Sequence, residues 1–334
     1  MAVITSNVIS SAVSEFYDRA HLEVARPMLT YAKWSTKKRL KKGHGKQIKF
    51  RRPVPFDPAT TPLTEGLTPQ GRSFEYQEVT GTVDFFGDWA SLSDVIQVIE
   101  PDPILTDIVT EFGEQEALTI NTLMRNKLMT GTNAYFASNV ANREAVKDSI
   151  KVADIKAMRL ALKKAKTKPL TKMMNASTGI STTPIEACYI ALVSLEVASD
   201  LRDLESSGFV PVHKYASQTG ILEGEIGKLD GIRFIETTEA PVWKGAGTTP
   251  ASGVVGTGGA TDVHGVIVFG ANAYAEIPLE SLNSGIIIKA GNLKDTNDKS
   301  DPLNQRSTVG WKLAWGGVIL NDDWIIRYEC GSTR

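Results

Sequence analysis

"GEIGKLDGIRFIETTEAPVW", residues 224–243, and "VGWKLAWGGVILNDDWIIRYE", residues 309–329, are the stretches from which the fold is read. The first has the outline of a strand, Gly231 to Glu236, entered through glycine turns and left through a proline. The second reads as two strands rich in Trp and Ile, joined by a turn at Asn321-Asp322-Asp323. The first stretch holds no nucleophile beside a base, no pair of acids and no set of metal ligands. Their composition speaks of sheet and shape.

Working outward, "ACYIALVS" (187–194) is a buried strand and "LEVASDLRDLES" (195–206) a short helix ending near Gly208. "VHGVIVFG" (263–270) and "SGIIIKAG" (284–291) are further strands. Upstream, Asp102 followed by Pro103 is an N-cap with a first-turn proline. Ile104, Leu105, Ile108, Val109, Phe112, Ile120, Leu123, Met124 and Leu128 then recur at helical spacing until Gly131. At 1.5 Å per residue this helix is a strut of roughly 40 Å. A second helix is expected from about Asp154 to Lys166, with Ile155, Met158, Leu162 and Ala165 on one side and Lys163, Lys164 and Lys166 at its C-terminal end. Strands and helices in this order define a mixed α+β protein.

Residues 47–92 alternate as a strand does. "QIKFRRPVPF" and "SFEYQEVTGTVDFFGDWASL" are separated by "TPLTEGLTPQG" and read together as one long hairpin. Prolines at 53, 55, 58, 62 and 69 exclude a central strand and make one arm an edge or an excursion from the core. A hairpin of that length needs something to lie on.

The chain of 334 residues, 42% hydrophobic and 22% charged, is long enough for a large core or two lobes. Its 37 Lys and Arg nearly balance its 38 Asp and Glu, so the total charge attracts neither nucleic acid nor membrane. The distribution is uneven: from Arg26 to Arg52 there are eleven Lys or Arg and no acid. Such a run is a solvated, flexible extension or a surface laid against phosphate. Cys188 and Cys330 make no disulfide framework. The start lacks a secretory signal, and no uncharged apolar run approaches the ~18 residues of a membrane helix. The expectation is a soluble, non-secreted protein from a reducing compartment.

Catalytic and cofactor motifs fail one by one. His21, His44, His213 and His264 have no partner at metal-site spacing. The loop 245–259 contains six glycines, yet matches neither G-x-x-x-x-G-K-[ST] nor G-x-G-x-x-G before a helix; it reads as a mobile surface loop. "DTNDKSDPLNQR" from Asp295 has Ser300 and Arg306 where a calcium loop needs Gly and Glu. Asn175-Ala-Ser177 is a chance sequon. No catalytic, cofactor or metal residue is assigned.

The two opening stretches, the second taken as 301–329, resemble major capsid proteins of tailed bacteriophages, in the group typified by the phage N4 coat protein. The order of basic arm, "TPLTEGLTPQG" hairpin and long helix ending in "LMTGT" agrees. The resemblance implies the HK97-type α+β shell fold. On that template the N-arm is 1–45, the E-loop hairpin 46–92, the peripheral domain 93–180 with its spine helix 102–130, and the axial domain 181–290. Residues 291–334, including the strands around Trp311, Trp315 and Trp324, return to the peripheral domain.

It further implies a subunit that self-assembles through hexamers and pentamers into an icosahedral head around double-stranded DNA, made in the host cytoplasm and residing in the virion. Lys37, Lys38, Arg39, Lys41 and Lys42 of the arm are the expected DNA-facing cations, without sequence preference. Pro62, Leu63, Leu67, Phe74 and Tyr76 are the expected inter-subunit residues of the hairpin. A portal and decoration proteins are further expected partners. With no charged helical segment ahead of the arm, a separate scaffolding protein is expected too. Two rival readings stand: the shell of an encapsulin-like intracellular compartment with the same fold, and a nucleotide-dependent enzyme using the glycine loop.

Overall fold

The computed structural model describes residues 3–4, 30–41, 43, 45–62, 65–66, 68, 71–93, 104–170, 187–215, 221–279, 285–289 and 306–334. In chain order its main elements are β1 (Thr36–Lys37), β2 (Gln47–Pro53), β3 (Tyr76–Thr82), β4 (Asp84–Ser93) and helix α1 (Ile104–Met129). Then come β5 (Ala134–Phe136), α2 (Val152–Lys164), β6 (Tyr189–Val193), α3 (Leu195–Asp203), β7 (Glu225–Leu229) and β8 (Ile232–Glu236). β9 (Val263–Phe269), β10 (Tyr274–Pro278), β11 (Gly285–Lys289), β12 (Arg306–Ile319) and β13 (Ile325–Cys330) complete it. The expected helices and buried strands are present. The Asp102-Pro103 helix start, the sequon, the loop from Asp295, His21 and His44 lie outside the described residues.

The opening stretch folds as two strands where one was expected. Asp230 and Gly231 both adopt positive φ, 50° and 76°, which closes a two-residue hairpin turn between β7 and β8. Two consecutive positive-φ residues match the right-handed twist of the flanking strands, and Asp-Gly supports them at little cost. Arg159 of α2 pairs with the Asp230 carboxylate and ties this turn to the helix below.

Two sheets organise the molecule. An eight-stranded sheet runs β5-β13-β9-β6-β8-β7 and on to a short strand at Val210–Pro211, with Val242–Trp243 pairing β9. A six-stranded sheet centres on β12, which pairs antiparallel with β4 on one side and with β10 and β11 on the other. β1 extends it as a parallel edge on β10.

The period-two rule explains why the strands of the larger sheet are continuously apolar. In β6, Tyr189, Ala191 and Val193 face a core capped by α2 and α3, while Ile190 and Leu192 face a second core beneath α1. Both faces are covered, so no position is left for an outward polar residue. The second core also takes Trp311, Leu313 and Trp315 from β12, and so joins the two sheets. α1, about 39 Å long for its 26 residues, lies along this seam. The Trp311 indole donates to Gln115 of α1 at 2.8 Å, and Arg327 donates to the carbonyl of Met129, filling an acceptor left open at the helix end.

Sheet membership cuts across contiguous segments, which corrects two expectations. Of the two C-terminal strands, only β12 joins the sheet beneath α1; β13 crosses over and pairs with β9 in the larger sheet. β10, placed by sequence with the axial segment 181–290, pairs with β12. Pairing is decided by partners far away in the chain, and the alternation pattern does not name them. The hairpin expected to run to residue 92 ends at buried Val83, where the chain turns and Asp84–Ser93 enters the six-stranded sheet opposite β12.

One buried histidine gives the fold a pH signature. His264 on β9 is 5% exposed, and its Nδ1 lies 3.1 Å from Ser194 Oγ. Burial pushes its pKa below the usual 6.5, against the pull of Glu196, Asp262 and Asp200. As pH falls below about 6.5 the unfolded chain takes up this proton before the folded one, so acidification costs stability and rising pH restores it. Thermal melts at pH 7.5 and 5.5 should show a larger drop for the native chain than for His264→Asn. Equal drops would remove His264 as the source.

Candidate assembly surfaces

The β2–β3 hairpin is the most exposed element. Its base is seated on the six-stranded sheet: Ile48, Phe50 and Val79 pack with Val83 on Leu40, Ala275, Ile277, Ala314 and Val318. Gly81 lets the strand lie close on Ile277, whose Cδ1 would have to shift to admit a Cβ 2.3 Å away. Lys49 and Arg51 both pair with Glu78 across the strands, at 3.0 and 2.8 Å, and hold its carboxyl below the usual range.

Beyond the base, residues 53–62 and 71–78 are exposed. They carry a row of aromatics: Phe56 is 57% exposed, Phe74 52% and Tyr76 57%. Phe56 and Phe74 lie 5.9 Å apart and Phe74 meets Tyr76 edge-on at 4.8 Å. Of the sequence-named residues the hairpin brings Phe74 and Tyr76 together, and Pro62 is exposed toward the tip. Leu63 and Leu67 lie outside the described residues. Phe56 was not singled out by sequence. Its signal was its near-mirror position to Phe74 about the hairpin pairing.

A second exposed apolar surface lies on β4. Phe85 (46% exposed) and Trp89 (53%) stand on the open face of the sheet, beside a groove of about 410 Å³ formed with Gly87, Gly310 and Lys312. Lys46 and Lys312 sit over the Phe85 ring at 5.4 and 5.3 Å. Two exposed aromatics on one pleated face are a contact surface without its counterpart.

The basic arm is docked from Thr30 to Lys41. Tyr31 is fully buried, with its N–H donated to Asn121 of α1 and its carbonyl accepting from Tyr274. Lys38 N–H and Leu40 N–H bond to the carbonyls of Glu276 and Pro278, continuing the edge pairing of β1. Lys37 reaches the Glu276 carboxylate at 3.5 Å and Lys38 covers Phe50 at 5.1 Å, so these two cations serve their own subunit. Arg39 and Lys41 are exposed, and Lys42 is outside the described residues. A run of like charge reads as solvated extension; the edge of β10 with Glu276 is the partner that such a reading could not see.

Nothing in these surfaces assembles a reaction. Among the described residues no three His, Cys, Asp or Glu side chains could hold a metal ion, and no helix is long and apolar enough to cross a membrane. Ser194 and His264 are in contact, but Ser194 Oγ caps α3 by accepting from Val197 N–H. Glu196 faces the same ring nitrogen as Ser194, at 3.8 Å, so it does not orient the base from behind as a triad acid does. In the glycine loop, Asp262 already accepts from Gly245 N–H and Thr257 N–H. A protein carboxylate thus occupies the donors a phosphate would need, and Gly247 and Gly256 are packed against the Val146 and Ala260 carbonyls.

Exposed apolar surfaces on an extended hairpin and an open sheet face, with a large core behind them, define a structural subunit that is completed by its neighbours. Residues 76–327 match the family model described as phage capsid protein, and the chain belongs to that family. The match names the family and does not resolve the subgroup typified by the phage N4 coat protein. No curated protein sequence matches the chain. Among solved structures it is similar to the capsid of Ralstonia phage GP4, with TM-score 0.67 and 11% identity over 96% of this chain and 95% of that one. It is similar also to the capsid of cyanophage P-SCSP1u (0.63, 13%, 95% and 93%). The head of Helicobacter pylori bacteriophage KHP40 is a third such structure (0.62, 13%, 98% and 98%). The fold is the HK97-type α+β shell fold, and the protein is a capsid shell protein of a tailed phage, a component of the virion. The compartment-shell alternative is not favoured.

Proposed function

We propose that the chain builds an icosahedral head from hexamers and pentamers, assembled in the host cytoplasm around a separate scaffolding protein and then filled with double-stranded DNA through a portal. Decoration proteins are further partners in this reading. The HK97 domain names are assigned by pairing. The six-stranded sheet with α1 as spine helix is the peripheral domain, the eight-stranded sheet with α2 and α3 the axial domain, and β2–β3 the E-loop. The N-arm is the segment up to residue 45. Its work is mechanical, and no catalytic role is assigned.

The observation that carries this reading is the exposed row Phe56, Phe74 and Tyr76 on a hairpin whose outer half lies on nothing in its own subunit among the described residues. An isolated two-stranded ribbon is marginal in water, and aromatic anchors of this kind bury most profitably on a neighbour. Deleting residues 55–72 is expected to leave a folded subunit and raise the concentration needed for assembly at least about tenfold, the equivalent of about 1.4 kcal/mol per contact. Electron microscopy and sedimentation read this directly. Normal particles at the native concentration would remove the E-loop assignment.

A further inference from the structure

The arm was the expected DNA-facing element, yet Lys37 and Lys38 are engaged with their own subunit. A second basic surface surrounds α2. Residues 147–168 carry eight Lys and Arg against two acids in a chain whose net charge is −1. The two acids are already used: Asp148 accepts from Ser138 and pairs with Lys151, and Asp154 accepts from the buried Tyr328 hydroxyl at 2.8 Å. The one arginine, Arg159, pairs with Asp230.

The lysines point the other way. α2 buries Ile155, Met158 and Leu162 against the larger sheet. Its exposed stripe is residues 153, 156, 157, 160, 163 and 164, which places Lys156, Lys163 and Lys164 on one outward face. Exposed Lys166 and Lys168 follow directly beyond the helix end. None of these five lysines has an ion-pair partner among the described residues. Complementing the helix dipole accounts for Lys163 and Lys164, but not for Lys156, Lys166 or Lys168.

We propose that this face of α2 binds the backbone of duplex DNA, and hence that the α2 side of the eight-stranded sheet lines the interior of the shell. The chemistry favours DNA over an acidic protein. The surface consists of flexible point charges on a helix, with Leu160 as its sole exposed large apolar side chain among the described residues. Such a surface attracts phosphate without reading sequence or shape, and it releases counterions as it does so. Lys156 to Lys163 covers roughly 10 Å of helix axis, against a duplex carrying one charge per ~1.7 Å, so several phosphates are within reach at once.

This inference rests on the shell reading, and the test separates the two. The full-length subunit is titrated with a fluorescent 30-base-pair duplex between about 50 and 200 mM salt. Three proteins are compared: native, Lys156→Gln/Lys163→Gln/Lys164→Gln, and an arm control, Arg39→Gln/Lys41→Gln, at the exposed cations of the arm. The α2 variant should bind about tenfold or more weakly, and its salt slope should fall by about 2 to 3, at ~0.9 for each phosphate it no longer neutralises. The arm control should stay near native, and all three should melt alike, because exposed substitutions shift stability little. Native binding by the α2 variant, or weakening confined to the arm control, would overturn the proposal. Equal binding and equal weakening with polyglutamate in place of DNA would overturn it in favour of an acidic protein partner. Assemblies are scored in parallel by electron microscopy: a native chain that forms neither capsomers nor shells contradicts the shell reading itself, whereas variant heads that fill with DNA normally in infected cells contradict only this inference.

Discussion

Trp315→Ala is expected to destabilise the unassembled subunit by about 3 to 5 kcal/mol, the cost of deleting a large aromatic from a core that collapses only partly around the hole. Trp315 is 5% exposed and packs in the core that joins the two sheets to α1. Its ring also lies against Gly317, where a Cβ would sit 2.7 Å from it. Its indole N–H donates to Glu276 Oε1 at 3.1 Å, and Glu276 is itself 6% exposed. Truncation therefore leaves a void and removes a donor from a buried carboxylate that otherwise has Ser35 and Lys37. The loss should reach the arm as well, since Lys37 and β1 are organised on the same strand edge. Urea unfolding followed by circular dichroism measures the effect. A variant with native stability that fails only in assembly would move Trp315 from the core to an interface.

Arg143→Ala should be nearly as damaging, at about 3 kcal/mol. Glu329 in β13 is fully buried, and Arg143 holds both of its oxygens, Nε to Oε2 at 2.6 Å and NH2 to Oε1 at 2.8 Å. Arg327 adds a contact at 3.0 Å, and the Arg143 guanidinium is stacked 3.7 Å from the Trp243 ring. The hydrogen bonds to Glu329 push the arginine pKa up, so the guanidinium remains charged at all working pH. Removing one member of a buried pair leaves an undercompensated charge, which costs far more than the pair contributes. Arg143→Lys should recover only part of the stability, because an ammonium cannot make the forked contact or the stack. Glu329→Gln should be milder than Arg143→Ala, because it removes the buried charge. Chemical denaturation of the three variants tests the order, and an alanine variant within about 0.5 kcal/mol of native would contradict it.

Local chemistry made much of this fold legible. The 3.6-residue spacing of Ile104 to Leu128 placed α1, and the apolar run at 189–193 placed a buried strand. Partners were not legible. β13 is buried on both faces, so its sequence lacks the alternation that would have said which sheet receives it. The Asp230-Gly231 turn was visible as a glycine turn, but the hairpin it closes depends on β7, whose Gly227 makes it a weak strand on propensity alone. Among the surface residues, Phe74 and Tyr76 drew notice as hairpin residues through the capsid resemblance. Phe56 sat among prolines and did not. The engagement of Lys37 and Lys38 with their own subunit was invisible because Glu276, the partner of Lys37, lies far along the chain and the Phe50 ring reaches Lys38 only once the hairpin base is seated. The lysines of α2 read as ordinary helix-end charges until the fold showed how many of them share one outward face.

Copies of this polypeptide either complete one another or do not. Sedimentation velocity of the purified full-length protein over a wide concentration range, with the pelleted fraction imaged by cryo-electron microscopy, decides between the two most directly. Capsomers and larger curved assemblies of mixed size, in equilibrium with free subunits, are the predicted result, since uniform closure belongs to the chain together with its scaffolding protein. A single small species at every concentration, with the β2–β3 aromatics protected from solvent on their own subunit, would contradict it.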